Sequence, residues 1–120
     1  MISVSEKKLK PYLMILNQLF DMENKVQKIK EPNSIKRNMD RLKEIMATEI
    51  FPDGQGLIYH NPIGEKYDET RIDCEANISG LGNDNLEIIE VIKPIIFYKL
   101  GDSQIIVQKA VVIVQSKNIG

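Results

Sequence analysis

Between Asn61 and Ala76 the chain reads NPIGEKYDETRIDCEA, and five carboxylates, Glu65, Asp68, Glu69, Asp73 and Glu75, fall within that stretch. Acids at this density suit a hard-cation site, acid–base catalysis, or recognition of a basic partner. The spacing of a calcium loop, with oxygen ligands at alternate positions around a central glycine, is missing. Lys66 and Arg71 lie among the acids and partly neutralise them. Three readings stay open: a solvated turn, a recognition surface, and a metal or catalytic site. His60 is the only histidine, so a histidine-based metal cluster within one chain is excluded. A lone histidine beside a strand end reads as a surface or capping residue rather than a general base. Cys74 falls on the apolar face of an alternating run and reads as a buried structural thiol. "GQG" and "GLG" lack the strand–loop–helix setting of a phosphate cradle.

Helices should precede this stretch. Pro11 suits a first helical turn. Leu9, Tyr12, Leu16, Leu19, Met22, Val26 and Ile29 then recur in steps of three or four, with Leu13 and Phe20 widening the stripe. Pro32 should close this helix, and Asn33 or Ser34 can cap a second, whose stripe is Ile35, Met39, Leu42, Ile45 or Met46, and Glu49 or Ile50. Such stripes are either core-facing surface or a seam between chains. Two helices of this length do not cover their own apolar faces, which nominates Leu9, Tyr12, Leu16, Leu19, Val26 and Ile29 for dimerisation. On that reading Leu16→Asp breaks the dimer.

"FPDGQG" is loop chemistry and marks a boundary. Beyond it the period changes. "LIYH" reads as a short strand. "IDCEANI" alternates, with Ile72, Cys74, Ala76 and Ile78 on one face and Asp73, Glu75 and Asn77 on the other. "LEIIEVI" and "PIIFY" read as strands broken at Pro94, and "KLGDSQ" as a hairpin turn. "IIVQKAVVIV" reads as one long strand with too little alternation to be one-faced, so central or covered on both sides. The expected class is α+β: an N-terminal helical hairpin or paired helices over 1–50, for dimerisation, then a small, mainly antiparallel β domain over 57–120.

The formal net charge of −1 argues against nucleic-acid binding. Residues 1–50 carry ten Lys/Arg and seven Asp/Glu, against six and ten in residues 51–120, with no charge block long enough to read as a tail. A single cysteine permits no intrachain disulfide and fits a reducing compartment. No apolar run reaches the ~18 residues of a membrane span, and no signal peptide is evident, so the expectation is a cytoplasmic protein. A chain of 120 residues buries a modest share of its surface, and oligomerisation would help it.

The stretch quoted at the outset also carries a family resemblance. Pro62, Gly64, Glu65, Tyr67 and Asp68, followed by Glu75 and Ala76, are similar to the motif heading the C-terminal β domain of GrpE, the nucleotide exchange factor of DnaK-type chaperones. "IIEVIKP" from Ile88 to Pro94 and "KAVVIV" from Lys109 to Val114 resemble the strands that follow, with Ala110, Val112 and Val114 matching the family's closing pattern. The resemblance covers about the last 65 residues. It departs from the pattern by two extra residues between Asp68 and Glu75. It departs again at Cys74, where the family has His, at Gln108 and Lys109 in place of Arg-Pro, and in its shorter helices. The chain therefore looks like a diverged or shortened relative.

The resemblance implies a homodimer paired through its helices. Its β domain would wedge into the ATPase domain of a DnaK-type chaperone and promote ADP release, as a non-enzymatic co-chaperone without cofactor or metal. Pro62 and Gly64 would shape the loop, and Glu65, Tyr67 and Asp68 would lie at or near the contact surface. A dimeric adaptor that keeps the β module but binds another protein is the alternative. A small metal-dependent enzyme using the acidic loop is the third reading.

Overall fold

Helix α1 (Glu6–Gln27) and helix α2 (Ile35–Thr48) come first in the computed structural model, which describes residues 6–30 and 34–117. Pro11 sits inside α1 rather than in its first turn, so one rung of the hydrogen-bond ladder is missing there. The helix ends at Gln27, where the Lys28 and Ile29 amides donate back to the Lys25 and Val26 carbonyls at 3.2 and 3.0 Å, a tightened final turn. Pro32 and Asn33, read as terminator and cap, lie outside the described residues. Ser34 occupies the N-cap of α2 but makes no side-chain capping bond.

Seven strands follow: β1 (Gly56–His60), β2 (Lys66–Tyr67), β3 (Cys74–Ser79), β4 (Leu86–Lys93), β5 (Ile95–Leu100), β6 (Ser103–Gln108) and β7 (Ala110–Ser116). They form one sheet of order β1–β5–β6 and another of order β2–β4–β7–β3. The class is α+β, with helices before a mostly antiparallel β region. One pairing is parallel: β3 runs parallel to β7, while β2 and β7 each run antiparallel to β4.

The long strand expected over "IIVQKAVVIV" is instead two, broken at Lys109, with β6 and β7 in different sheets. At the break the Gln108 side chain donates to the Pro94 carbonyl at 3.0 Å. Pro94 separates β4 from β5, as its missing amide predicts. Strand β7 is central as expected, and Ala110, Val112 and Val114 are buried on one face. Each such valine stabilises the fold by about 2 kcal/mol.

The chain divides into two units, neither continuous in sequence. The first holds residues up to Ile58 with Tyr98–Ile105; the second holds Tyr59–Phe97 with residues from Ile106 onward. In the first, α1 buries Leu9, Leu16, Leu19 and Phe20, and α2 buries Met39 and Met46. Lys43 of α2 pairs with Glu23 of α1 at 2.9 Å. Phe51 receives the rings of Tyr12 and Tyr98, and the Tyr98 hydroxyl donates to Gln55 at 2.8 Å. The second unit has its own core of Cys74, Leu86, Ile88, Ile95, Ala110, Val112 and Val114.

Candidate functional site

The loop from His60 to Asp73 lies within the second unit and is built by short-range chemistry. Asn61 accepts from the Ile63 amide through its side chain at 3.1 Å, and the Glu65 amide donates to the Pro62 carbonyl at 3.1 Å. That turn needs a left-handed third residue, which Gly64 supplies at φ +82°. The Gly64 amide then donates to the Ile88 carbonyl, and the Ile88 amide to the Glu65 carbonyl, both at 2.9 Å, fixing the turn to β4. Strand β2 continues the ladder, with Lys66 opposite Glu87 and Tyr67 opposite Leu86. A second turn follows, in which the Arg71 amide donates to the Asp68 carbonyl at 3.1 Å. The Asp68 carboxylate accepts from both the amide and the hydroxyl of Thr70.

Arg71 ties the two turns together. Its guanidinium donates to Glu65 Oε1 at 2.7 Å, to Asp73 Oδ1 at 2.7 Å and to the Lys66 carbonyl at 2.9 Å. The other oxygen of Glu65 meets His60 Nε2. The Asp73 carbonyl accepts from the Ala110 amide at 2.9 Å, which anchors the far end of the loop on β7. Charge-assisted bonds of this kind are about twice as strong as neutral ones.

The electrostatics follow from these contacts. For Glu65 partial burial pushes the carboxyl up, but hydrogen bonds from Arg71 and His60 outweigh it and hold the group below its ordinary range. The Arg71 hydrogen bond lowers Asp73, against a smaller effect of burial. Bonds from Thr70 lower Asp68. Asp73, opposed by burial, raises Arg71 further above its already high value. Burial pushes the Cys74 thiol up to about 11, so it carries little thiolate at neutral pH.

The residues nominated for partner contact play unequal parts. Pro62 is fully buried and Tyr67 is half-buried against the core of the second unit, so both support the loop from beneath. Gly64 and Asp68 are exposed, and Glu65 is partly exposed with both carboxylate oxygens engaged. Arg71, read only as a neutralising charge, is the centre of the site. An arginine flanked by Glu69 and Asp73, with Glu65 six residues earlier, was the available signal. His60 is a ring at the margin of the network.

The dimerisation residues divide in the same way. Leu9, Leu16 and Leu19 are buried within one chain, with Leu16 only 1% exposed. Tyr12 is half-buried edge-on to Phe51, Val26 is half-buried, and Ile29 lies exposed beyond the end of α1. The apolar residues that α1 leaves in solvent are Met14, Ile15 and Met22, and on α2 they are Ile35 and Leu42.

Among the described residues no group of three or more His, Cys, Asp or Glu side chains is placed to hold a metal ion. Among the same residues no helix is long and apolar enough to cross a membrane. Comparison with protein-family models, curated proteins and solved structures finds no match to this chain.

Proposed function

We propose that this chain is a GrpE-like, homodimeric co-chaperone that docks on the ATPase domain of a DnaK-type chaperone through the His60–Asp73 loop and promotes ADP release. The supporting observation is the dense bonding of that loop to itself and to the sheet beneath it. A buried proline, a left-handed glycine and the Arg71–Glu65–Asp73 bonds hold it against β4 and β7. A loop tied down by its own bonds loses less conformational entropy on docking than a free one. By binding the open nucleotide cleft better than the closed one, such a surface shifts the chaperone toward its nucleotide-free state, with no bond made or broken.

Stopped-flow release of a fluorescent ADP analogue from the host's DnaK-type chaperone tests this reading. A rise of about tenfold or more is expected, reduced by Asp68→Lys, since a charge reversal at a rim acts mainly on association. An unchanged rate with folded protein would remove the exchange role. A dimeric adaptor for another protein is the second reading. It is favoured by Glu65, whose two carboxylate oxygens are engaged within the chain. Recovery of a DnaK-type chaperone from lysate, lost on adding ATP, counts against the adaptor.

A further inference from the structure

Among the described residues strand β3 is an edge. It has β7 on one side only in the order β2–β4–β7–β3. The Asp73 carbonyl accepts from the Ala110 amide, and Cys74 stands opposite Ala110 in an unbroken parallel register that runs to Ser79 opposite Gln115. Backbone polar groups alternate sides along a strand. Those of Asp73, Glu75 and Asn77 therefore serve β7, and those of Cys74, Ala76 and Ile78 point off the edge.

Proteins blunt such edges with proline, lysine, bulges or very short strands. From Cys74 to Ser79 there is no proline, no lysine and no register shift, whereas β4 carries two irregularities against the same neighbour. The only charge on β3 is Glu75. Ile78 is 51% exposed on the face that Cys74 and Ala76 bury in the core.

The pattern complements itself. We infer that β3 pairs antiparallel with β3 of a second copy, across a two-fold axis at Ala76, joining the two four-stranded sheets edge to edge. In that register Cys74 faces the partner's Ile78, and Ala76 faces the partner's Ala76. These are the residues whose backbone groups point outward, so each pair exchanges both of its bonds. The apolar faces join, and Ile78 gains an apolar neighbour. On the other face Glu75 meets the partner's Asn77, whose amide donates to the carboxylate. Moving the axis to Glu75 sets like charges directly opposite each other, which destabilises the pair. Moving it to Asn77 loses the pair made by Cys74, because it would fall against Gly80, which has left the strand at φ +79°. Bonding parity allows all three axes, and the number of pairs kept within β3 together with the charges selects Ala76. The inference does not depend on the chaperone reading.

Sedimentation velocity of the full chain over a concentration series tests it. The wild type is expected to dimerise. Asn77→Glu, at an exposed position, places two carboxylates opposite each other twice per dimer and is expected to weaken association by about tenfold or more. Glu75→Lys added to Asn77→Glu reverses one member of each pair and is expected to restore the dimer. Amide hydrogen exchange of the wild type gives a second reading that needs no variant. The amides of Cys74, Ala76 and Ile78 should gain protection with concentration, while those of Glu75 and Asn77, already bonded to β7, should not change. A monomeric wild type, a dimer indifferent to Asn77→Glu, a loss that the double variant does not reverse, or concentration-independent exchange at the three amides would each overturn the pairing.

Discussion

At the scale of single residues, Arg71 is the one whose loss should be felt furthest. Its guanidinium bonds Glu65, Asp73 and the Lys66 carbonyl, and its side chain is 19% exposed. Arg71→Met removes the donors and leaves both carboxylates without their shared cation. We expect a loss of about 1–2 kcal/mol in urea unfolding at neutral pH, allowing for solvent screening of the half-exposed Glu65. The pH dependence has a definite sign. The folded chain holds Glu65 and Asp73 below their ordinary range, so their contribution is complete at neutral pH. It is lost as pH falls through the ordinary carboxylate range, about 4, and below. The variant should lack this part of the acid-side decline, so its deficit should shrink toward about pH 3. A deficit independent of pH would mean that Arg71 acts through packing alone. Cys74 offers a separate check: its buried thiol should react with a disulfide reagent only as fast as the second unit opens. The acids of this loop and the arginine among them were visible in the sequence, but not that Arg71 joins Glu65 to Asp73. Arg71 reaches Glu65 only because two turns fold the chain back, and those turns depend on bonds to the distant Ile88 and Ala110.

At the scale of elements, two glycines separate two kinds of constraint. A side chain at Gly56 would put its Cβ 1.9 Å from the Ala47 carbonyl oxygen, so the end of α2 meets the start of β1 without room for one. The obstacle is backbone, and Gly56→Ala should cost about 2 kcal/mol or more by forcing the two elements apart. Gly64 has open space around it but a left-handed conformation, and Gly64→Ala should cost about 1 kcal/mol with the fold unchanged. Urea midpoints of the two variants check the order, and equal losses would show that the α2–β1 approach relaxes freely. Legibility also differed between elements. The alternation of "IDCEANI" predicted the buried Cys74 and the half-buried Ala76 of β3, but Ile72 and Ile78, placed on the same face, are exposed; Pro94 marked the break between β4 and β5 by its own chemistry. The break at Lys109 was invisible because β6 and β7 are equally rich in β-branched residues. What parts them is the sheet each one joins.

At the scale of the whole molecule, the question is which apolar surface the single chain already uses. The helical stripe read as a seam between chains is largely consumed within one: Leu9, Leu16 and Leu19 are buried there, while Met14, Ile15 and Met22 remain in solvent. A periodic stripe shows that a face is covered without showing by what, and here the same unit covers it. Leu16→Asp therefore ought to act on folding before it acts on association. Burying an unpaired carboxylate at that site costs several kcal/mol, a large part of the ~5–15 kcal/mol that holds a domain folded. The expected outcome is a marked fall in helical circular dichroism and in Tm at every protein concentration. Met22→Lys, 44% exposed in the wild type, should leave both nearly unchanged. Light scattering on the same samples then separates two sources of self-association. A dimer lost in folded Met22→Lys would sit on the exposed helical face. One that survives Met22→Lys but dissociates with Asn77→Glu would sit on the edge of β3. A Leu16→Asp chain that kept its helical signal and became monomeric would show that the leucine stripe joins two copies after all.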